Sequence, residues 1–589
     1  MGEVVEKTES SYRWVILFLT CVMMIGNYYS YDNPAALKTQ IDDYMGNPDD
    51  FETLYNLLYT VYSIPNVFLP FVGGYFVDSW GVRICLIIFC CLIFAGQAIF
   101  ALGLSLKSWP LMYVGRIIFG MGGESLSVGN SALLSAWFEG KELAFAFGLN
   151  LSIARLGSVI NNLVSPAIAN GVGLVYALWF SAILCGVSVL CSLIIQRIDK
   201  RFDDSKNKGT AKLILDGDDI SNPLIADDND DSGYSGHDID SRKEKTENNE
   251  EEVDKVEFWE IKKFNEGFWL LVISCLVVYG CVLPFNNIAS SLLLERDFFM
   301  TPPDSCVLIP DACQTFPADS TSVEGVPTNC PSSTNYQPPL PTNCTVPYPD
   351  GDLYNPLDTD DIDCTSDDWS GNDACTYVFC DRQDSATVTA TTVMSIPYII
   401  SAICSPFLGK VVDNYGYRAL IATCAPFLLI WVHLSLAITT ITPEIPLAGQ
   451  GLSYSAFAAV LWPSIPLVVE KRLIGLAYGV CTSVQNIGLA TFPLIVATIY
   501  ESSGGKYLPN VEFFFMSLAV GGFVVGVYMN YYDATHDNIF NRVKPPEDEF
   551  DAIGDISTSS RDEPYRKLST GSFSQPEEVY AAKSGKKHQ

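Results

Sequence analysis

Residues 74–83 read GYFVDSWGVR and residues 409–418 read GKVVDNYGYR. Both obey G-x-x-x-D-x-x-G-x-R, carried by Gly74, Asp78, Gly81 and Arg83 in the first copy and by Gly409, Asp413, Gly416 and Arg418 in the second. Every position of the second copy lies 335 residues after its counterpart (78 to 413, 83 to 418). Two more echoes run in step. Gly148, Arg155 and Gly157 recur 331 residues on as Gly479, Asn486 and Gly488, and Gly26, Asp32 and Asn33 recur 254 residues on as Gly280, Asn286 and Asn287. A chain that repeats itself over this distance consists of two copies of one structural unit.

Outward from the repeated loops, the 589 residues are 49% apolar. The apolar residues gather in blocks of about 20 residues or more, each long enough to cross a hydrocarbon core of roughly 30 Å. The blocks predict an all-α membrane protein of twelve transmembrane helices in two six-helix bundles. The expected spans are 14–37, 54–77, 83–106, 110–137, 143–169 and 172–197 in the first bundle. In the second they are 268–294, 386–412, 418–440, 446–469, 473–500 and 511–531. The domain plan follows: a cytosolic tail 1–13, a bundle 14–197, an acidic disordered cytosolic loop 198–265, a bundle 266–531, and a disordered cytosolic tail 532–589. The first block is too long for a cleaved signal peptide and lacks a small-residue cleavage site, so it reads as the first span.

Arg83, Lys141, Arg197, Lys262, Arg418 and Arg472 all flank one side of these spans, which makes that side cytosolic. The loop 296–385 carries two Arg, no Lys and sixteen Asp or Glu, together with seven of the 18 cysteines (306, 313, 330, 344, 364, 375 and 380). That density suggests a disulfide framework facing an oxidising lumen. Irregular spacing and the lack of histidine in the loop argue against zinc. Asn343-Cys344-Thr345 is a glycosylation sequon and fits a luminal loop. The net charge of −32 resides in loops and tails, and no basic patch suggests nucleic acid.

Repeated helical halves are the mark of carriers that rock about a site near the bilayer midplane. The twice-repeated loop resembles the signature of the major facilitator superfamily. In that family it implies a cytosolic latch of Asp and Arg that favours the outward-facing state. The stretches around Gly115–Leu126, Trp137–Leu143, Phe147–Arg155, Leu461–Pro463, Ala477–Gly479 and Gln485–Ala490 resemble a branch of lysosomal dipeptide exporters. What this implies is uniport of dipeptides, with a glycosylated single-span accessory subunit. The long cysteine-rich loop and the long acidic loop depart from that pattern.

Ionisable residues within spans are costly and are candidates for function. Glu124 lies about 13 residues from the cytosolic end of its span and Arg155 about 12 residues into the next, so they share a depth near the midplane. Arg155 can grip a carboxylate in two-point fashion and Glu124 can take an ammonium, which suits the two ends of a dipeptide zwitterion. The plainer reading is a structural ion pair. The resemblance assigns the equivalent Glu and Arg to substrate termini. Tyr28, Tyr31, Trp462 and Gln485 are candidate cavity residues. Arg116 and Asp32 are candidates for coupling, Asp32 beside a helix-breaking Pro34. Of four histidines only His433 lies in a span, and no acidic neighbour adjoins it in sequence. No cofactor or metal is implied, and no nucleophile–base arrangement points to an enzyme. Tyr565-x-x-Leu568 is a sorting signal of the type adaptors read as an extended strand. The expected function is a lysosomal dipeptide uniporter exporting to the cytosol. The alternatives are a proton-coupled carrier of organic anions or sugars, and a non-transporting membrane sensor.

Overall fold

A computed structural model describes residues 2–46, 48, 51–138, 142–218, 257–302, 335–338, 362, 364, 367–371, 374, 376–536 and 538–542. Asn343, Tyr565, Leu568 and the loop cysteines other than Cys364 and Cys380 lie outside these residues. The described residues form sixteen principal α-helices. Those before the acidic loop are α1 Gly2–Tyr31, α2 Asn33–Ala36, α3 Lys38–Met45, α4 Phe51–Asn66, α5 Leu69–Trp80, α6 Val82–Ser105, α7 Trp109–Phe138, α8 Leu143–Gly171 and α9 Leu174–Asp218. Those after it are α10 Glu266–Leu293, α11 Tyr377–Met394, α12 Ile396–Tyr415, α13 Arg418–Ile438, α14 Glu444–Val468, α15 Ile474–Ser502 and α16 Asn510–Thr535.

Ten helical stretches among the described residues are long and apolar enough to span a membrane, counting α11 and α12 as one stretch, and the α4–α5 pair, bent by 47°, makes an eleventh. Pro65 inside α4 and Pro70 in the first turn of α5 flank that bend; neither can donate to the helix ladder, so it breaks between them. The remaining expected span, 110–137, is α7. Its 30 residues have the length, but its glycines and serines, with Asn130, Arg116 and Glu124, dilute its apolar character. The chain is a multi-pass membrane protein.

Four boundaries differ from expectation. The first span breaks early: α1 stops at Tyr31 and Asp32 opens the short α2, whose first turn contains Pro34. The acidic loop begins later than 198, because α9 continues to Asp218. Arg83 bonds Asp199 and Asp203 on this extension, and the Trp137 indole donates to Asp199 at 2.8 Å. The loop also ends in structure: Phe258–Lys263 is a 3-10 turn closed by a reciprocal Glu257–Glu260 capping box. The loop 296–385 gives way to helix at Tyr377, anchored by a Cys364–Cys380 disulfide. The eleven cysteines of the apolar blocks are free thiols.

The two bundles meet along one buried apolar cluster. It includes Phe138, Leu143 and Phe147 of the first and Leu473, Leu476 and Tyr478 of the second. These contacts between the bundles lie at the end carrying the repeated loops, so that end is closed.

Candidate functional site

The interface between the bundles consists of two seams, α5 against α15 and α12 against α8. Each is a ladder of contacts read from the repeated loop inward. Asp78 accepts the backbone N–H groups of Gly475 at 2.7 Å and Leu476 at 2.6 Å, in the first turn of α15. Asp413 does the same for Ala144 at 3.0 Å and Phe145 at 2.8 Å, in the first turn of α8. The first turn of a helix has N–H groups without intrahelical partners and a partial positive charge, so a carboxylate there is doubly favoured. One turn further in, backbones touch. A Cβ on Gly74 would fall 2.2 Å from the Gly475 carbonyl oxygen, and one on Gly409 would fall 2.3 Å from that of Ala144. Gly479 against Pro70 and Gly148 against Ser405 repeat the approach. Next, Phe71 N–H donates to Ser483 Oγ at 3.1 Å, and Ser152 Oγ donates to the Ala402 carbonyl at 2.6 Å. At the innermost rung, Asn486 Nδ2 donates to the Asn66 carbonyl at 3.0 Å, and Arg155 Nη1 donates to Ser401 Oγ.

These rungs obey the sequence offsets. The residues 144, 148, 152 and 155 of α8 correspond to 475, 479, 483 and 486 of α15, each 331 on. On the partners, 66 and 78 correspond to 401 and 413, each 335 on. Gly81 and Gly416 close the turns after α5 and α12 at φ of 87° and 71°, a region that favours glycine. The first arginine departs from the expected Asp–Arg latch and the second keeps it. Arg83 turns to Asp199 and Asp203 on α9 instead of Asp78. Arg418 pairs with Asp413 at 4.0 Å and borders a small apolar hollow with Ser274 and Phe540.

The innermost rungs open onto a polar centre between the bundles. The Arg155 guanidinium is 8% exposed, lies 4.1 Å from the centroid of the Tyr454 ring, and leaves Nη2 without a partner. Glu124 accepts from Tyr62 OH at 3.3 Å. Among the described residues Glu124 and Arg155 make no ion pair with each other, so the structural-pair reading finds no support in the geometry. Tyr28 lies within electrostatic reach of both and of Asp32 and Tyr454. The Tyr31 and Tyr62 rings meet at a tilt of 59°, with centroids 4.9 Å apart. Trp462 lies further along α14, where its indole donates to Tyr279 OH at 2.8 Å, and Tyr279 meets the Tyr454 ring edge-on at 5.6 Å. It therefore reaches the centre through two rings. Gln485 is half-buried beside Asn486. Ser401, Tyr454 and Tyr62 were not singled out by sequence. Ser401 has one advance signal, the repeat offset, which makes it the counterpart of Asn66.

Arg116 is fully buried. It donates to the carbonyls of Ser30 at 3.2 Å and Tyr31 at 2.9 Å, the last turn of α1, and five aromatic rings lie within 6.0 Å of its guanidinium carbon. This geometry caps a broken helix end. The second bundle holds a pair that sequence reasoning missed. His433 Nδ1 lies 2.7 Å from Glu512 Oε2, its Nε2 lies 3.2 Å from Cys281 Sγ, and both members of the pair are fully buried. The acidic neighbour absent near His433 in sequence is supplied 79 residues later, across α13 and α16.

The sequence matches the Major Facilitator Superfamily over residues 11–298 and 382–564. It is 29% identical over 519 residues to the Homo sapiens lysosomal dipeptide transporter MFSD1, covering 86% of this chain and 83% of that protein. It is 28% identical over 534 residues to the Danio rerio lysosomal dipeptide transporter MFSD1, covering 89% and 87%. Among solved structures it resembles the superfamily transporter FucP in the outward conformation, with a TM-score of 0.51 at 12% identity over 87% of this chain and 98% of that one. It also resembles the proton:xylose symporter XylE, with a TM-score of 0.55 at 12% identity over 92% and 99%. At that identity the likeness concerns the fold alone.

Proposed function

Since this chain belongs to the Major Facilitator Superfamily, we propose that it is an alternating-access transporter of dipeptides, working as a uniporter that releases them across the lysosomal membrane to the cytosol. The observation that carries the reading is Arg155. A buried guanidinium with one free Nη is poorly satisfied, and a substrate carboxylate supplies the missing acceptor. Glu124, held by a single Tyr62 hydroxyl, is the matching acceptor for an ammonium. Tyr28, Tyr31 and, through Tyr279, Trp462 line the way, and Gln485 borders it. A site that takes hold of the two ends of a dipeptide leaves its side chains loosely selected. The relatives named lysosomal dipeptide transporter support substrate and compartment alike.

In this reading the seams are the latch. Asp78 and Asp413 hold the repeated-loop end shut and favour the state open on the opposite side. The domain plan, with that end cytosolic, goes with it, as do glycosylation at Asn343, sorting through Tyr565 and Leu568, and a single-span accessory subunit. Arg116 serves the architecture of α1 by capping its last turn.

The test is thermal unfolding of the purified full chain with alanyl-alanine, alanine, glucose and lactate, beside R155A. A ligand that binds only the folded state raises the midpoint, by about 2.7 kcal/mol of stability at a hundred times Kd. Stabilisation of wild type by the dipeptide and not of R155A is the expected result. A dipeptide without effect on wild type would overturn the substrate, and equal effects on both would overturn the clamp.

A further inference from the structure

We infer that Ser401 is an internal stand-in for the substrate carboxylate: it occupies Arg155 when the site is empty, and the arriving carboxylate displaces it and thereby opens the innermost rung of the α8–α12 seam. The inference rests on the carboxylate reading of Arg155.

Four observations lead to it. First, Ser401 belongs to the second bundle and Arg155 to the first, so their hydrogen bond crosses the interface that must part during transport. Second, it is the last rung of a ladder that starts at Asp413 and passes Gly409, Ser405 and Ala402 in helical steps of three or four residues. The rung is thus the one nearest the polar centre, where a ligand arrives. Third, the hydroxyl is a neutral acceptor for a cation, a weaker partner than a carboxylate. The Ser401 hydroxyl hydrogen stays free to point at the Ser405 hydroxyl, 3.5 Å away, whether or not Arg155 is bound, so releasing Arg155 leaves Ser401 with a partner. Fourth, the pseudo-symmetric rung lacks this property. Asn486 binds the backbone carbonyl of Asn66, neither partner is charged, and no anion competes for it. The seam at α8–α12 therefore senses a carboxylate, while its mirror at α5–α15 does not. Tyr454 completes the arrangement from the second bundle: its ring lies against the guanidinium and holds its plane while the partner changes.

The experiment measures Kd for alanyl-alanine and for alanyl-alanine amide, which lacks the carboxylate, on the purified full chain of wild type, S401A, S401T and R155A. Removing the competitor should tighten alanyl-alanine binding to S401A by roughly three- to tenfold, leave the amide unchanged, and return to wild-type affinity in S401T. The ligand-free melting midpoint of each variant reports on folding, and S401T gives an independent reading where S401A is unstable. Weaker binding of alanyl-alanine to S401A, with R155A inactive, would make Ser401 a direct ligand and sink the exchange while leaving the carboxylate reading intact. Unchanged binding in R155A would remove both. An equal gain for the amide would show general loosening of the seam and would also overturn the exchange.

Discussion

The two seams share a plan rung for rung and differ at their ends. Along the middle both are built of backbone approaches and small hydroxyls, and at the loop end both use an aspartate to take two N–H groups of the opposite bundle. At the inner end one seam has a neutral amide on a carbonyl and the other a buried guanidinium on a hydroxyl. Beyond the loops the difference reverses. The first copy sends Arg83 out to two carboxylates on α9, at 32% exposure. The second keeps Arg418 at 14% exposure and has α13 capped by Asn541, whose side chain accepts from Ala419 and Leu420 N–H at 3.1 and 3.3 Å. A duplicated ladder thus keeps what closure needs on both sides and lets the ends specialise, one for the ligand and one for the tail that follows α16.

The largest expected effect separates the inner ends. R155A should abolish dipeptide flux into proteoliposomes, whereas N486A should retain the dipeptide-induced thermal shift, with a stability loss of roughly 0.5–1.5 kcal/mol. Equal loss in both would erase the distinction between the seams. At the loop ends symmetry should hold instead. D78N and D413N each weaken two charge-assisted hydrogen bonds, each worth about 1.5–3 kcal/mol. Each should shift the population at least tenfold toward the form open at that end, read by alkylation of cysteines introduced at positions 71 and 402. A marked inequality would make one seam dominant. Smaller effects follow for the arginines. R418A removes a half-buried ion pair and should lower the melting midpoint, while R83A breaks more exposed pairs worth roughly 0–1 kcal/mol. The smallest lies beside the α5–α15 seam. Lys263 and Arg472 hold the Glu260 carboxyl down at about 2, against an ordinary 4.5. Its contribution is complete above the ordinary value and disappears as the pH falls from there toward 2. E260Q should therefore match wild type in melting midpoint near pH 2 and fall below it at pH 7.

Much of this was legible in the sequence, for identifiable reasons. Gly74, Gly409, Gly148 and Gly479 mark places where only a hydrogen fits between backbones, and Asp78 and Asp413 mark helix starts on the other bundle. Such demands leave a spaced pattern. Arg155 and Glu124 stood out because charge is rare in spans. Ser401 did not, because a helical serine that bonds its own backbone, like Ser405 to the Ser401 carbonyl at 2.6 Å, looks the same in sequence as one that crosses an interface. Glu512 was hidden by its position three residues into α16, where an acid reads as a helix-start residue facing water; the fold turns it inward onto His433. The extension of α9 was masked by charges that suggested a solvated loop, although two of them serve Arg83.

The modest apolarity of α7 bears on how the chain is made. A nascent α7 alone in lipid would expose Arg116 and Glu124, and a charge at the centre of a span raises the insertion free energy by about 2.5–3.5 kcal/mol. In the folded bundle Arg116 ends instead on carbonyls of α1 and among aromatic rings of α1, α4 and α6. Leu86, Phe89 and Ile93 of α6 share a buried cluster with Phe119, Leu126 and Leu133 of α7. The partners of Arg116 and Glu124 precede α7 in the chain. They have left the ribosome by the time it arrives, and synthesis order doubles as an assembly order for the half of the molecule that holds the charge.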